Sequence, residues 1–124
     1  MKTSTLLLIL ASVALSAVAQ IALRKGMTGA DVQRAFTAGW LPATVAVGIS
    51  VWVIVGLALY FVGALVWLVV LSDEPVSIAY PFVGLGFIMT MLLGWGLLGE
   101  AMNAQRILGT LLVAAGVVLI ARGA

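Results

Sequence analysis

The chain has no cysteine and no histidine among its 124 residues. Without thiols there is no disulfide scaffold, no haem attachment through a CxxC pair and no thiol nucleophile. Without imidazole the commonest ligand for transition metals is missing, and so is the base of a Ser-His-Asp arrangement. Charge is almost as scarce. Six basic and four acidic side chains make up 8% of the residues, where a water-soluble domain of this size carries about a quarter. The six basic residues are scattered over separate segments and form no phosphate footprint, so nucleic acid is not expected as a partner. What is abundant is apolar: 65% of the residues are hydrophobic and mean hydropathy is +1.31. Such a chain is read as an integral membrane protein with lipid as its solvent, and its length allows one domain over residues 1–124.

The first apolar run extends from Thr5 to Leu23 and is closed by Arg24, Lys25 and Gly26. At about 1.5 Å per residue it just crosses a hydrocarbon core of roughly 30 Å. A second reading exists for the same segment: Lys2, the Leu6 to Leu10 stretch and Ala17-Val18-Ala19 before Gln20 also fit a cleavable secretory signal. No charge occurs from Ala43 to Leu71. That is too short for two spans and a turn, so one span near 44–71 is expected, with the excess around Trp40 and Pro42 in the headgroup region. Residues 30–38 read as a short amphipathic helix on the interface. Further spans are expected at 76–98 and 104–121. Uninterrupted runs without alternation exclude barrel strands, so the fold class is an all-α membrane protein of four transmembrane helices. Arg24, Lys25, Arg34 and Arg106 fall at one end of the spans, Lys2 and Arg122 at the other. Four against two favours cytoplasmic loops and external termini, a bias slight enough to leave insertion both ways open.

Within the spans, Ser12, Ser16 and Gln20 recur every four residues and Arg24 continues the line, which puts them on one helix face. Such a stripe serves either helix-to-helix hydrogen bonding or the wall of a polar cavity. Packing is the stronger reading for the serines, whose hydroxyls can bond back to their own helix. Glu100 stands where the third span ends, and a carboxylate at a helix C-terminus calls for a compensating cation or water. Arg106, Arg24 and Lys25 are the candidates, against a plain turn-shaping role. Pro81 follows Tyr80 inside the third span and should kink it; Gly84, Gly86, Gly94, Gly96 and Gly99 thin the same helix. A kinked, glycine-interrupted span beside polar side chains marks a transport site, although glycines also serve close packing. Gly109, Gly116 and Gly123 repeat every seven residues on the last span and form a contact seam, within the bundle or to a second copy. The four tryptophans are read as belt or packing residues. No nucleophile stands beside a base, so no catalytic residue, cofactor or metal site is expected and the chain is read as a non-enzyme.

The run Trp67 to Pro81, then Gly99-Glu100, Leu108-Gly109 and Ala115-Gly116-Val117, together with Ala19-Gln20 before Arg24-Lys25, resembles the small four-helix, EamA-like members of the drug/metabolite transporter superfamily. It looks most like the flippase subunits for 4-amino-4-deoxy-arabinose-phosphoundecaprenol. The resemblance covers about two thirds of the chain and leaves out the region from Gly26 to about Leu59. The small multidrug resistance exporters are similar too, and Tyr60 and Tyr80 match their pocket tyrosines. Their proton-carrying glutamate, however, is matched by Ala17 and their pocket tryptophan by Val83, so the resemblance does not extend to proton-coupled drug export. For a flippase it implies Arg24 and Lys25 for a lipid phosphate, and Gln20 and Ser16 for a polar notch that passes the head group.

These features lead to a transporter subunit of the bacterial inner membrane, multi-pass, moving an amphipathic and lipid-linked substrate. The expected substrate-binding residues are Ser16, Gln20, Arg24, Lys25, Tyr60, Tyr80 and Glu100, with a hinge at Pro81 and Gly84. An oligomer seam at Gly109 and Gly116 would join a homodimer or a heterodimer with a small homologue. The alternatives are an exporter of small organic molecules and a non-transporting scaffold subunit.

Overall fold

The computed structural model describes residues 2–123, and their regular structure is helical. In chain order the helices are α1 (Thr3–Met27), α2 (Ala30–Ala38), α3 (Trp40–Ile49), α4 (Val51–Asp73), α5 (Val76–Ala79), a 3-10 turn (Tyr80–Phe82), α6 (Val83–Leu98) and α7 (Ala104–Arg122). Four stretches are long and apolar enough to cross a bilayer: α1, α4, α5 with α6, and α7. This is the four-span, all-helical class that composition and hydropathy imply. One boundary differs. The apolar run 44–71 is divided at Ser50, whose backbone is extended (φ −68°, ψ 122°). The span therefore begins at Val51, and Trp40–Ile49 forms a separate helix of ten residues. At about 1.5 Å per residue α3 reaches only halfway through a hydrocarbon core. Hydropathy has no means of seeing such a break, because both sides of Ser50 are apolar.

The assembly is organised by a seam between α1 and α4. Thr5, Ser12, Ala19 and Gly26 recur every seven residues on α1 and all are buried. Gly56, Gly63 and Val70, also seven apart, are buried on the antiparallel α4. A heptad stripe stays on its partner along the length of a helix pair, and small residues let the backbones approach. The approach is close. A Cβ added at Gly56 would lie 2.8 Å from Leu23 Cγ and 3.0 Å from the Leu23 backbone nitrogen. At Gly26 it would lie 2.6 Å from Val53 Cγ2 and 2.9 Å from Val53 N. Ser12 Oγ donates to the Gly63 carbonyl at 2.8 Å, and Thr5 Oγ1 donates to Asp73 Oδ2 at 3.4 Å. Lipid tails supply no hydrophobic drive between helices, so this dispersion contact and the Ser12 bond hold the pair.

Pro81 interrupts the third span in the way its chemistry requires. It cannot donate a backbone hydrogen bond, and the helix tightens into the 3-10 turn at Tyr80–Phe82 before resuming at Val83. The turn drives Phe82 into the core, where it is 3% exposed among Ile9, Val13, Val70, Ala79 and Val117. Beyond it, Gly84 lies against α7: a Cβ there would meet Val113 Cγ1 at 2.8 Å and Val117 Cγ2 at 3.0 Å. Gly84 thus has a packing reason of its own beside the hinge expected of it. Gly109 and Gly116 face open space.

The seam makes a direct prediction. In detergent micelles, Gly56→Ala should lower the unfolding free energy by about 1–3 kcal/mol, because the methyl group collides with the Leu23 backbone. Gly96→Ala, at an exposed glycine with nothing within 4 Å, should leave it unchanged or raise it by up to about 1 kcal/mol. Equal losses at the two positions would show that α1 and α4 are not held in this register.

Candidate functional site

Because α1 packs against both α4 and α6, while α4 and α6 make no comparable contact, a gap is left between the latter two. It forms a partly open cavity of about 390 Å³, at the small end of ligand sites and suited to a head group more than to a long chain. Three helices line it with the same spacing. α1 contributes Val13, Ser16, Ala17 and Gln20; α4 contributes Tyr60, Gly63, Ala64 and Trp67; α6 contributes Val83, Gly86, Phe87 and Thr90. Each set runs i, i+3, i+4, i+7, one face of a helix. Ser12 and Tyr80 complete the wall at the end nearer the chain termini. These positions straddle the middle of their spans, so the cavity lies near the bilayer midplane.

Burial gives the cavity a floor and a mouth. Val13 and Ala17 are buried beneath it, whereas Tyr60, Tyr80 and Phe87 are 47%, 62% and 61% exposed. The mouth thus faces sideways, between α4 and α6. None of the lining side chains is charged. Ala17 and Val83, the positions that the resemblance to the small exporters pairs with a glutamate and a tryptophan, both line the cavity. The polar lining consists of hydroxyl, amide and indole groups. Ser12 is committed to the Gly63 carbonyl, and among the described residues the side chains of Ser16, Gln20, Tyr60, Tyr80 and Thr90 have no such commitment.

The charged members of the expected set, Arg24, Lys25 and Glu100, gather about one helical turn beyond Gln20, at the end of the bundle where α1 finishes. Arg24 Nε lies 3.5 Å from Glu100 Oε2, which supplies the cation that an acid at the end of α6 calls for. Arg106 is engaged elsewhere, with Nη1 donating to the Ala101 carbonyl at 2.8 Å. Lys25 sits over the Trp52 ring, 4.2 Å from its centroid. Glu100 has a defined seat. Gly99 adopts the left-handed conformation (φ 67°), turning the chain so that the Glu100 N–H donates to the Gly94 carbonyl at 3.1 Å. The carboxylate then rests against Gly94, where any Cβ would strike Oε1. Of the seven expected binding residues, Ser16, Gln20, Tyr60 and Tyr80 share the cavity, while Arg24, Lys25 and Glu100 lie past its end.

The model of the EamA-like transporter family matches residues 3–122 of the chain. The chain belongs to that family. A probable 4-amino-4-deoxy-L-arabinose-phosphoundecaprenol flippase subunit ArnE of Pseudomonas savastanoi pv. phaseolicola is 35% identical over 99 residues, covering 77% of this chain and 87% of that protein. The proteins of the same name from Klebsiella pneumoniae and Pseudomonas fluorescens are 43% and 42% identical, over 47% and 52% of this chain and 52% and 58% of their own lengths. No solved structure is significantly similar. With four apolar spans and this membership, the EamA-like chain is a multi-pass transporter of the bacterial inner membrane.

Among the wall positions of this EamA-like chain that were not expected from the sequence are the two aromatic residues Trp67 and Phe87 and the hydroxyl of Thr90. The signal was present: seven-residue steps from Tyr60 and Val83 reach Trp67 and Thr90, and Phe87 fills the i+4 position between. A wet cavity at this depth is open to test, since the chain has no native cysteine. Thr90→Cys should react with a hydrophilic thiosulfonate at least about tenfold faster than Leu111→Cys, an exposed residue of α7 set away from the Gly109 and Gly116 face, because only the thiolate reacts and hydrocarbon suppresses it. Equal rates would mean that the cavity is dry.

Proposed function

We propose that this chain moves the polar head of a lipid-linked substrate, of the polyprenyl phosphate type, across the inner membrane while the tail stays in the bilayer. The observation that carries the reading is the uncharged, hydrogen-bonding cavity at the midplane with its mouth between α4 and α6. A carrier for soluble cations needs an acid in its cavity, and Ala17 gives none. A tailed molecule needs a lateral mouth instead. Ser16, Gln20, Tyr60, Tyr80 and Thr90 offer hydroxyl and amide partners to a sugar-like head, and Trp67, Tyr60 and Phe87 offer ring faces. Arg24, with Lys25 nearby, offers charge-assisted hydrogen bonds to a phosphate about 6 Å along the helix from Gln20. The names of the relatives support the same class of substrate, a 4-amino sugar on a phosphoundecaprenol.

Those relatives are also named as subunits. We take this chain to work likewise in a pair, as a homodimer or with a small homologue, through the bare face of α7 at Gly109 and Gly116. Exchange of access between the two sides would follow from rocking about the 3-10 turn at Pro81.

Two experiments test this. In proteoliposomes, Arg24→Ala with Lys25→Ala should reduce translocation of a fluorescent polyprenyl phosphate by at least about tenfold, since each lost charge-assisted contact is worth about 1.5–3 kcal/mol. Unchanged turnover would remove the phosphate role. A saturable efflux of free organic cations that depends on Tyr60 or Tyr80, and is indifferent to the double substitution, would favour the exporter instead. Gly116→Leu should abolish the dimer in crosslinking while leaving the monomer's melting temperature unchanged. A dimer that survives would place the interface on another face.

A further inference from the structure

Glu100 occupies a place whose chemistry matches that of a substrate phosphate. Arg24 Nε lies 3.5 Å from Glu100 Oε2, with the two side chains 61% and 45% exposed. That is a loose, hydrated contact of the kind that contributes little to stability, and it leaves most of the guanidinium fork uncommitted. The seat of the carboxylate, in contrast, is built. Gly99 turns the chain, the Glu100 N–H returns to the Gly94 carbonyl, and the missing side chain at Gly94 makes room for Oε1. A carboxylate is thereby held ready against the end of α6, where the helix dipole disfavours it, facing a cation one turn from the cavity. The remaining acids do not compete. Asp31 pairs with Arg34, and Asp73 and Glu74 belong to the opposite end of the bundle.

We infer that Glu100 is a resident counter-anion of Arg24, standing in for the phosphate ester of the substrate and yielding to it when the substrate enters. The exchange is favourable for geometric reasons: a phosphate can take two parallel N–H donors of the fork, whereas Glu100 meets it only as an ion pair at 3.5 Å, and the released Glu100 is exposed enough to be hydrated. Arg24 is then never left with an anion-free guanidinium between transport cycles, and the link between α1 and the end of α6 opens only when an anion replaces Glu100. The inference rests on the lipid-phosphate reading above and adds to it a competitor within the chain.

The test is a binding measurement on the full chain in detergent at low salt, by intrinsic tryptophan fluorescence, with farnesyl phosphate and inorganic phosphate as probes and farnesol as the uncharged control. Glu100→Gln should tighten farnesyl phosphate binding about two- to five-fold, the scale of one exposed ion pair. Gly94→Ala should shift affinity the same way with the charge retained, because its methyl group unseats the carboxylate, and it keeps the test available if Glu100→Gln does not fold. Arg24→Ala should weaken binding at least about tenfold, and adding Glu100→Gln to it should then change nothing. A gain confined to farnesyl phosphate assigns the anion to a lipid head; an equal gain with inorganic phosphate keeps the exchange and makes the ligand a free phosphate. Affinity that stays level or falls in both Glu100→Gln and Gly94→Ala, or a gain that persists without Arg24, overturns the inference while leaving the lipid reading intact. Absence of farnesyl phosphate binding in the unmodified chain overturns both.

Discussion

Close approach of two backbones in lipid is the constraint from which the remaining architecture follows. Hydrocarbon removes the hydrophobic drive between spans, so α1 and α4 hold together only where side chains are small enough for dispersion contact over a long stripe. Gly26, Gly56 and Gly63 provide that stripe, and the Ser12 bond to the Gly63 carbonyl adds a polar tie in the middle of it. With one face of α1 spent on α4, its neighbouring face is left for α6. The two partners of α1 are then splayed, and the space between them is the cavity. Scaffold and cavity wall thus come from the same helix: residues at steps of seven build the contact, while Ser16 and Gln20, on the adjoining stripe, are left facing the gap.

Much of this was legible in the amino-acid sequence, and the parts that were not have physical reasons. Span number follows from hydropathy because lipid forbids unpaired backbone groups, which leaves helices as the form for uninterrupted apolar runs. The break at Pro81 is equally forced by a missing donor. Ser50 is the counter-example. Its neighbours are apolar on both sides, so nothing in composition separates a ten-residue helix from the span that follows. The polar stripe Ser12, Ser16, Gln20 was visible at steps of four and all three reach the cavity, but they differ in role, with Ser12 buried and bonded in the seam at its edge and Gln20 exposed in its wall. The heptad Thr5, Ser12, Ala19, Gly26 would have predicted that division, since it assigns Ser12 to the contact and leaves Gln20 outside it.

Charge placement was harder to read. Arg24, Lys25 and Arg106 are equivalent on a sequence basis, each a cation near the same membrane edge. Tertiary neighbours separate them: Lys25 finds the Trp52 ring, Arg106 a backbone carbonyl, and Arg24 the carboxylate of Glu100. That last pairing depends on two glycines, one for its left-handed backbone and one for its missing Cβ. A string of glycines such as Gly94, Gly96 and Gly99 looks uniform until each is asked what it makes room for; Gly96 makes room for nothing.

The sideways mouth between α4 and α6 has an energetic corollary. Withdrawing a long isoprenoid chain from the bilayer into a closed vestibule would forfeit about 0.8 kcal/mol for every methylene-sized group wetted on the way. For the lipid-linked substrate proposed above, a portal open to the acyl region avoids that penalty, so the work of transfer would be set by the head alone and be independent of how many isoprene units trail behind it. A fold of only four short rods can thereby serve a passenger much longer than the membrane is thick.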